Sequence, residues 1–191
     1  MTVAAAGVRV LYHIVCAGPP AADAQVFVEL AQAEGWDVCV IATPQAVRFM
    51  DVPLLERLTS RPVRSQYKHP SEPDVLPRAD AIVVAPATFN TVNKWVAGAA
   101  DTLPLSLLSE YVGFRTPIVL APNVNPWLGQ HPGFLRNLDE LRSWGVLVLH
   151  NPMAPPPTWM VPWDVIHTAL RKAVAMPAAY PPVELGGDEV L

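Results

Sequence analysis

The sequence predicts an α/β fold, a single domain with a doubly wound, Rossmann-like parallel sheet. Three observations support this prediction. A chain of 191 residues is long enough to bury one full core. Its short apolar runs are nearly continuous in Val, Ile and Leu, which is typical of parallel strands covered on both faces. Amphipathic helical patterns stand between these runs, and this alternation of strands and helices indicates a parallel sheet.

The predicted strands and helices alternate along the chain. The apolar runs that predict strands are residues 8–15, 37–42, 80–86, 117–122 and 146–150. The helical patterns cover residues 21–36, 89–100, 133–145 and 163–174. Gly35 and Gly145 are natural stops for the first and third of these helices, because glycine readily closes a helix C-terminus.

Residues 1–176 are predicted to form the single domain, and residues 177–191 a loosely ordered tail. The chain has 22 prolines, which are dense at 71–77 and 151–162. The Pro-rich segment 151–163 follows the last predicted strand and also carries Met and Trp. It is interpreted either as an ordered flap or subunit contact, or as a stiff connector.

Composition and charge exclude several classes of partner. The net charge is −4, and the sequence has no Lys/Arg cluster, so we expect neither nucleic acid nor an anionic membrane as a partner. No apolar run approaches the ~20 residues that a membrane span needs. The hydrophobic share of 51% exceeds what one small domain readily hides, which favours a homo-oligomer.

The N-terminal stretch predicts a core strand rather than a signal peptide. It lacks a basic start, and Arg9, Tyr12 and His13 interrupt its apolar residues. Cys16 and Cys39 both lie in strand-like runs without metal-ligand spacing, so we expect buried, reduced thiols and no metal site. These features favour a cytoplasmic protein.

Three predicted strand ends share a polar character. Gly18 follows the first strand, Thr43 the second and Thr88 the third. Glycine lets a ligand approach the backbone, and hydroxyls at helix N-termini suit a phosphate group. Each segment alone is better explained as a helix cap. Because all three ends meet at one edge of the sheet, together they favour a phosphate-bearing cofactor.

Asn123 and Asn125 directly follow the fourth predicted strand. Their amides can reach the same edge, where an amide binds a carboxylate or the edge of a flavin ring without adding charge. An ordinary Asn-Pro turn explains them equally well.

Several motifs resemble the homo-oligomeric flavin-containing cysteine decarboxylases, which include the phosphopantothenoylcysteine and the epidermin-type peptidyl-cysteine decarboxylases. Residues 86–91, PATFNT, match that family's P-A-S-A-N-T in four of six positions. Residues 98–103, GAADTL, stand in register with its G-I-A-D-N-L. Residues 122–129, PNVNPWLG, keep the Pro and Asn of its P-x-M-N-x-x-M-W. Pro19 and Pro20 depart from its G-S-I-A-A phosphate loop. The resemblance runs from about residue 8 to 152.

The resemblance implies an FMN cofactor and a set of cofactor-binding residues. The phosphate is expected near Gly18, Pro19, Pro20 and Thr43, and the ring near Thr88, Phe89, Asn90 and Thr91. A flavin takes a hydride from the β-carbon of a substrate cysteine thiolate, and the resulting thioaldehyde allows CO₂ to leave. The protein has to orient the substrate and move protons.

The resemblance also implies two catalytic residues. His69 corresponds to a family histidine before the third strand, although its spacing is longer here by about three residues, and it is expected to be the base for the thiol. Asn125 is expected to hold the substrate carboxylate. His13, His131, His150 and His167 are assigned structural roles, with His131 at a helix start.

The reaction predicted first is FMN-dependent oxidative decarboxylation of a C-terminal peptidyl cysteine to an aminoenethiol, in peptide natural-product biosynthesis. The phosphopantothenoylcysteine branch has a cysteine in its flap, and the segment 150–163 contains none. A decarboxylase of a small cysteine derivative and a non-catalytic FMN-binding regulator are the alternatives. Family members form trimers or dodecamers, so the resemblance implies a homo-oligomer.

Overall fold

The predicted fold class is confirmed by a computed structural model that describes residues 8–69, 71, 76–156 and 158–175. Its sheet is parallel and five-stranded, in the order β2-β1-β3-β4-β5. The strands are β1 (Val10–Val15), β2 (Asp37–Ala42), β3 (Ala81–Ala87), β4 (Ile118–Pro122) and β5 (Leu147–Val148). All five coincide with predicted runs.

Helices cover both faces of the sheet. They are α1 (Ala24–Ala33), α2 (Val52–Thr59), α3 (Phe89–Val96), α4 (Leu103–Gly113), α5 (Pro126–Gly129), α6 (Pro132–Ser143) and α7 (Trp163–Ala175). Buried residues of α1, α2 and α7 form one core with the sheet, and those of α3, α4 and α6 form the other. Strands β1, β3 and β4 are buried at every position, because side chains on both of their faces enter a core.

The helix stops were predicted correctly, but three helices, α2, α4 and the short α5, were not predicted at all. Gly35 and Gly145 adopt φ values of +82° and +91°, the left-handed backbone that glycine adopts without strain. The helix predicted over 89–100 is shorter and ends at Val96. Helices α2 and α4 were missed because proline stands in the first turn of each, where it is tolerated but is easily mistaken for a loop signal.

The cysteines and two of the histidines have the structural roles assigned from the sequence. Cys16 and Cys39 are buried and unpaired. His13 is buried in β1, and its Nε2–H donates to the Ala85 carbonyl oxygen at 2.8 Å. Burial lowers the pKa of His13 to about 4. His131 is the N-cap of α6, since its Nδ1 accepts from the backbone N–H of Gly133 at 3.1 Å.

No helix among the described residues is long and apolar enough to cross a membrane. The tail predicted at 177–191 lies outside the described residues, so the division of the chain at residue 176 stays a prediction.

Candidate functional site

The carboxyl ends of β1, β3 and β4 form the centre of the candidate site. The strand order changes direction between β1 and β3, and in such sheets ligands bind at this switch point. The backbone N–H of Cys16, just after β1, donates to the Pro86 carbonyl oxygen at 3.0 Å. The N–H of Asn123, just after β4, donates to the Ala87 carbonyl oxygen at 2.8 Å. The three segments that follow these strands are therefore neighbours.

Thr88 begins helix α3 and acts as its N-cap. Its Oγ1 accepts from the backbone N–H of Thr91 at 3.4 Å and lies 2.9 Å from the Thr91 hydroxyl. This confirms the capping interpretation of Thr88. The next two N–H groups, of Phe89 and Asn90, belong to the first helical turn, whose donors have no partner within the helix. Asn90 is exposed, so part of this first turn is open to solvent.

The Cys16 thiol lies beneath Thr88 and Thr91, a contact that the sequence analysis did not identify. Burial raises the pKa of Cys16, while hydrogen bonds to the Thr91 side chain and the Thr88 backbone act in the opposite direction. A buried thiol whose pKa is raised stays protonated and acts as a small packing group. Its contribution is to support the start of α3.

Phe89 forms an apolar wall at this helix start. Its ring stacks on Phe134 of α6 with centroids 5.4 Å apart, and meets His131 edge-on at 5.6 Å. The ring is half-buried. Phe89 is thus held between two helices, where it offers a rigid apolar surface.

Asn125 has the same capping role at the end of β4. Its Oδ1 accepts from the backbone N–H of Leu128 at 3.0 Å, which makes it the N-cap of α5. The Nδ2 group makes no hydrogen bond to another described residue, and it remains a donor for a ligand. The Asn-Pro turn and the ligand interpretation of Asn125 are therefore compatible.

The loop after β1 differs from the sequence expectation. We expected a helix whose N-terminal N–H groups point to the ligand, but Gly18 is followed by a short 3-10 helix, Pro19–Asp23. Pro19 and Pro20 have no N–H, and the N–H of Ala21 donates to the Gly18 carbonyl oxygen at 2.9 Å. Helix α1 begins only at Ala24. The segment offers few donors because prolines occupy its first turn.

Gly18 is required for close packing, although it has an extended backbone with φ −164°. A Cβ at position 18 would collide with the Oδ1 of Asn123. The Nδ2 of Asn123 donates to the carbonyl oxygen of Thr158 in the Pro-rich segment. Asn123 therefore connects the β1 loop with the segment predicted to be a flap.

The Pro-rich segment is folded back on the sheet edge. Ala154 and Met160 are buried, whereas Met153 is 85% exposed. The N–H of Trp159 donates to the Pro155 carbonyl oxygen at 2.9 Å. Together with the Asn123 contact, these observations describe an ordered segment beside the candidate site. Whether it moves as a flap stays a prediction.

Thr43 lies at the end of β2, next to the β1 loop. Its backbone N–H donates to the Val15 carbonyl oxygen at 2.9 Å, and its carbonyl oxygen accepts from Ala46 at 2.8 Å. The hydroxyl makes no hydrogen bond to another described residue. Unlike the Thr88 hydroxyl, it is not a helix cap.

His69 is exposed in the segment between α2 and β3. Its Nδ1 lies 2.8 Å from the Ser71 hydroxyl and accepts from the Ser71 N–H at 3.3 Å. These contacts are within its own loop. The structure thus brings Gly18, Thr43, Thr88 and Asn125 to one edge of the sheet, whereas the role of His69 stays a prediction.

His150 follows β5 and was given only a structural role from the sequence. Its Nε2 is buried without a hydrogen-bond partner, and its ring packs edge-on against Phe134 at 5.7 Å. A Cβ at Gly129 would lie 3.4 Å from the ring. Burial and the nearby Arg142 lower the pKa of His150. Its place after a strand was the one signal in the sequence, and no motif accompanied it.

Among the described ranges, no three His, Cys, Asp or Glu side chains lie together as a metal site. The donors at the sheet edge are instead neutral hydroxyl, amide and backbone N–H groups. Neutral donors of this kind can bind a polar ligand whether or not the ligand carries a charge.

Comparison with known proteins agrees with this geometry. The model of a family described as Flavoprotein matches residues 24–174. The chain belongs to the flavoprotein family. The resemblance stated from the sequence is thereby confirmed at the level of the family.

Two curated proteins match parts of this flavoprotein. The coenzyme A biosynthesis bifunctional protein CoaBC of Mycolicibacterium smegmatis is 31% identical over 119 residues, which is 60% of this chain and 28% of the relative. A cysteine/cysteine sulfinic acid decarboxylase from an unknown prokaryotic organism is 42% identical over 67 residues, 35% of this chain and 18% of the relative. The matches therefore span less than a third of the length of these relatives.

Solved structures match the flavoprotein over most of its length. One of them is the FMN-dependent cysteine decarboxylase SpaF, which is 27% identical with a TM-score of 0.69. The match covers 90% of this chain and 100% of the SpaF chain.

Proposed function

We propose that this flavoprotein binds FMN and catalyses the oxidative decarboxylation of a C-terminal cysteine in a peptide. The observation that carries the proposal is the convergence of uncommitted neutral donors at the carboxyl ends of β2, β3 and β4. They are the Thr43 hydroxyl, the first N–H groups of α3 and the Nδ2 of Asn125. Membership in the flavoprotein family supports a flavin as the ligand.

The residues present fit the flavin ring and its sugar-alcohol chain. A flavin ring edge carries carbonyl oxygens and ring nitrogens that accept hydrogen bonds, and the start of α3 supplies donors beside the apolar Phe89 ring. Thr88, Phe89, Asn90 and Thr91 would hold the ring, and Thr43 with Gly18 would lie towards the phosphate. Pro19 and Pro20 shape that end of the site but donate no N–H to it.

A bound flavin supplies the two-electron oxidation of the substrate cysteine, after which the substrate loses CO₂. Asn125 would orient the substrate carboxylate through its Nδ2, while its Oδ1 stays fixed as the cap of α5. A neutral amide orients the carboxylate without the strong ground-state stabilisation that a firm ion pair would give.

His69 would accept the thiol proton of the substrate. Its ring is exposed and hydrogen-bonded to Ser71, so this role requires the loop between α2 and β3 to contact the bound substrate. General bases commonly contribute about 10²–10⁴-fold to a rate. Substitution of His69 thus belongs in the first test of the proposal.

The substrate proposed first is a peptide that ends in cysteine. Reduction of the enethiol would take a hydride from the reduced flavin and a proton from a nearby acid. Residues 150–163 contain no cysteine to give that proton, which favours release of the aminoenethiol. The likeness to SpaF over most of both chains agrees with a cysteine decarboxylase. The match to the cysteine/cysteine sulfinic acid decarboxylase makes a small cysteine derivative the second candidate.

We further propose that the protein acts in the cytoplasm as a homo-oligomer, a trimer or a dodecamer. Buried, unpaired cysteines suit a reducing compartment. Large exposed side chains such as Trp127, 81% exposed, and Met153 lie near the site, where a second subunit could cover them.

The test is mass spectrometry of short peptides ending in cysteine, incubated with the purified flavin-loaded protein. We expect loss of CO₂ and two hydrogens from the peptide. His69→Asn should lower the turnover rate by at least about 10²-fold. Absence of turnover with peptides and with free cysteine derivatives alike would contradict the enzymatic proposal.

Two matched controls sharpen this test. A peptide ending in serine lacks the thiol, and a peptide with a C-terminal cysteine amide lacks the carboxylate; neither should lose CO₂. Retained turnover in His69→Asn would exclude His69 as the base while leaving the reaction itself intact. Turnover of free cysteine derivatives but not of peptides would favour the second candidate.

A further inference from the structure

We infer that this chain holds its flavin through the ring and sugar-alcohol chain, so that FMN and riboflavin bind with nearly equal affinity. This inference rests on the proposed function, because it concerns the same cofactor site. It is carried by four features of the loop after β1 and its neighbours, which together leave the flavin phosphate without a set of donors.

The first feature is the absence of N–H groups at the start of the 3-10 helix. The first two positions of a helix normally present free N–H groups, and these are what an anion binds. Here those positions are Pro19 and Pro20. Neither residue can donate, since the nitrogen of proline carries no hydrogen.

The second feature is the commitment of the next donor. The N–H of Ala21 donates to the Gly18 carbonyl oxygen at 2.9 Å, which closes the turn. The 3-10 helix is only five residues long, so its dipole is small. The segment from Pro19 to Ala21 therefore has no uncommitted N–H with which to attract a phosphate.

The third feature is the orientation of Asn123. Its Oδ1, an acceptor, lies against Gly18, and its donor group is used by the Thr158 carbonyl oxygen. A phosphate beside Gly18 would face another oxygen lone pair rather than an N–H. This arrangement disfavours an anion at the position that a phosphate-binding loop would use.

The fourth feature is the scarcity of positive charge nearby. Between Cys16 and Asp51 the chain carries a single cation, Arg48, in the 3-10 helix Ala46–Arg48 after β2. Arg64 also lies beside the end of β2, where its carbonyl oxygen accepts from the N–H of Ala42, but its guanidinium donates to the Gln66 carbonyl oxygen at 3.5 Å. Arg48 is exposed, and the attraction between an exposed guanidinium and a phosphate is screened by salt. The Thr43 hydroxyl remains as a neutral donor at this end of the site.

The test compares the dissociation constants of FMN and riboflavin for the apoprotein, measured by quenching of flavin fluorescence. We expect the two constants to agree within about threefold, because neutral donors without a buried cation add little to anion binding. Adding millimolar inorganic phosphate should not displace FMN. A preference for FMN of tenfold or more, or displacement by phosphate, would overturn the inference.

Restoring the missing donors provides the second arm. In Pro19→Ala/Pro20→Ala, two N–H groups return to the first turn, and we expect FMN to bind at least about tenfold more tightly while riboflavin binding is unchanged. Pro53→Ala is the matched control, since Pro53 stands in the first turn of α2, and it should change neither constant. An unchanged FMN constant in the double variant would overturn the assignment of the prolines as the cause.

The two proposals fail in different ways in this experiment. If neither flavin binds the wild-type protein, the proposed cofactor is wrong, and the inference about its phosphate falls with it. If both bind but FMN is strongly preferred, the proposed function stands and the inference alone is overturned.

Discussion

The loop after β1 and the two loops after β3 and β4 lie at the same edge of the sheet but are built in opposite ways. After β3 and β4, an N-cap side chain, Thr88 or Asn125, starts a helix. The first N–H groups of α3 and the Nδ2 of Asn125 stay available, although α5 itself begins with a proline, Pro126. After β1, prolines start the helix and remove the donors, and the next N–H is used within the turn.

The difference shows that a strand-to-helix turn does not by itself create an anion site. The number of free N–H groups decides whether a phosphate is bound, and proline changes that number without changing the course of the backbone. In this flavoprotein the uncommitted donors are therefore concentrated on the β3–β4 side of the edge, while the β1 loop acts mainly as a packed wall.

The largest expected effect comes from Asn125 on the β3–β4 side. Asn125→Ser keeps a capping oxygen for α5 but loses the Nδ2 donor, and we expect turnover of a cysteine-terminated peptide to fall by about 10²-fold. Thermal stability should be unchanged in this variant. The measurement is a steady-state rate beside a melting curve.

Asn125→Ala separates the two roles of this residue. It loses both the donor and the cap, so it should show the same loss of rate together with about 1 kcal/mol lower stability. A serine variant with wild-type turnover would show that the Nδ2 of Asn125 does not contact the substrate.

A second effect concerns His13, which lies beneath both regions and joins β1 to Ala85 of β3. Burial lowers its folded-state pKa from 6.5 to about 4. The unfolded chain therefore binds a proton between these values that the folded chain does not, and stability falls as the pH drops below 6.5. Between pH 7 and pH 5 we expect a loss of about 2 kcal/mol from this group.

Urea unfolding at several pH values measures that loss. His13→Gln keeps a donor for Ala85 but does not titrate, so this contribution to the pH dependence should disappear. His131→Asn, an exposed cap variant, should retain it. Equal pH dependence in His13→Gln and the wild type would contradict the assignment to His13.

The smallest effects are expected from substitutions of the two threonines, Thr88 and Thr43. Thr88→Val removes the cap of α3 and should lower the free energy of unfolding by about 1 kcal/mol. Thr43→Val removes no hydrogen bond to a described residue, so its stability should stay within about 0.5 kcal/mol of wild type. Its flavin affinity should fall by roughly threefold to tenfold, as expected for one neutral hydrogen bond. Urea unfolding measures the stability of both variants, and flavin titration measures their affinity. Equal losses of stability in the two variants would contradict the different roles assigned to Thr88 and Thr43.

Much of the fold could be predicted because burial leaves a strong pattern in the sequence. The five strands are nearly continuous in apolar residues, and Gly35 and Gly145 mark real helix ends. Helices α2 and α4 could not be predicted with the same ease. In the sequence, a proline in the first turn of a helix cannot be told from a proline in a loop. Only the helix cap and the packing of the folded chain distinguish the two.

The candidate site was predictable where a side chain contacts residues that lie next to it in the sequence. Thr88 and Asn125 cap the helices that directly follow them, and that signal is local. The contact of Asn123 with Gly18 and Thr158 joins segments distant in sequence, and no local pattern encodes it. The loss of donors at Pro19 and Pro20 was visible in the sequence as a departure from a family motif. Only the structure showed that the next N–H, of Ala21, is also used within the turn.

The amide of Asn123 has a consequence for the cooperativity of the molecule. Its oxygen packs on the β1 loop, and its nitrogen binds the Pro-rich segment. Neither segment can open without disturbing the same side chain, so the two form one unit of local unfolding. The β1 loop and the Pro-rich segment thereby share one opening free energy, although they lie far apart in the sequence.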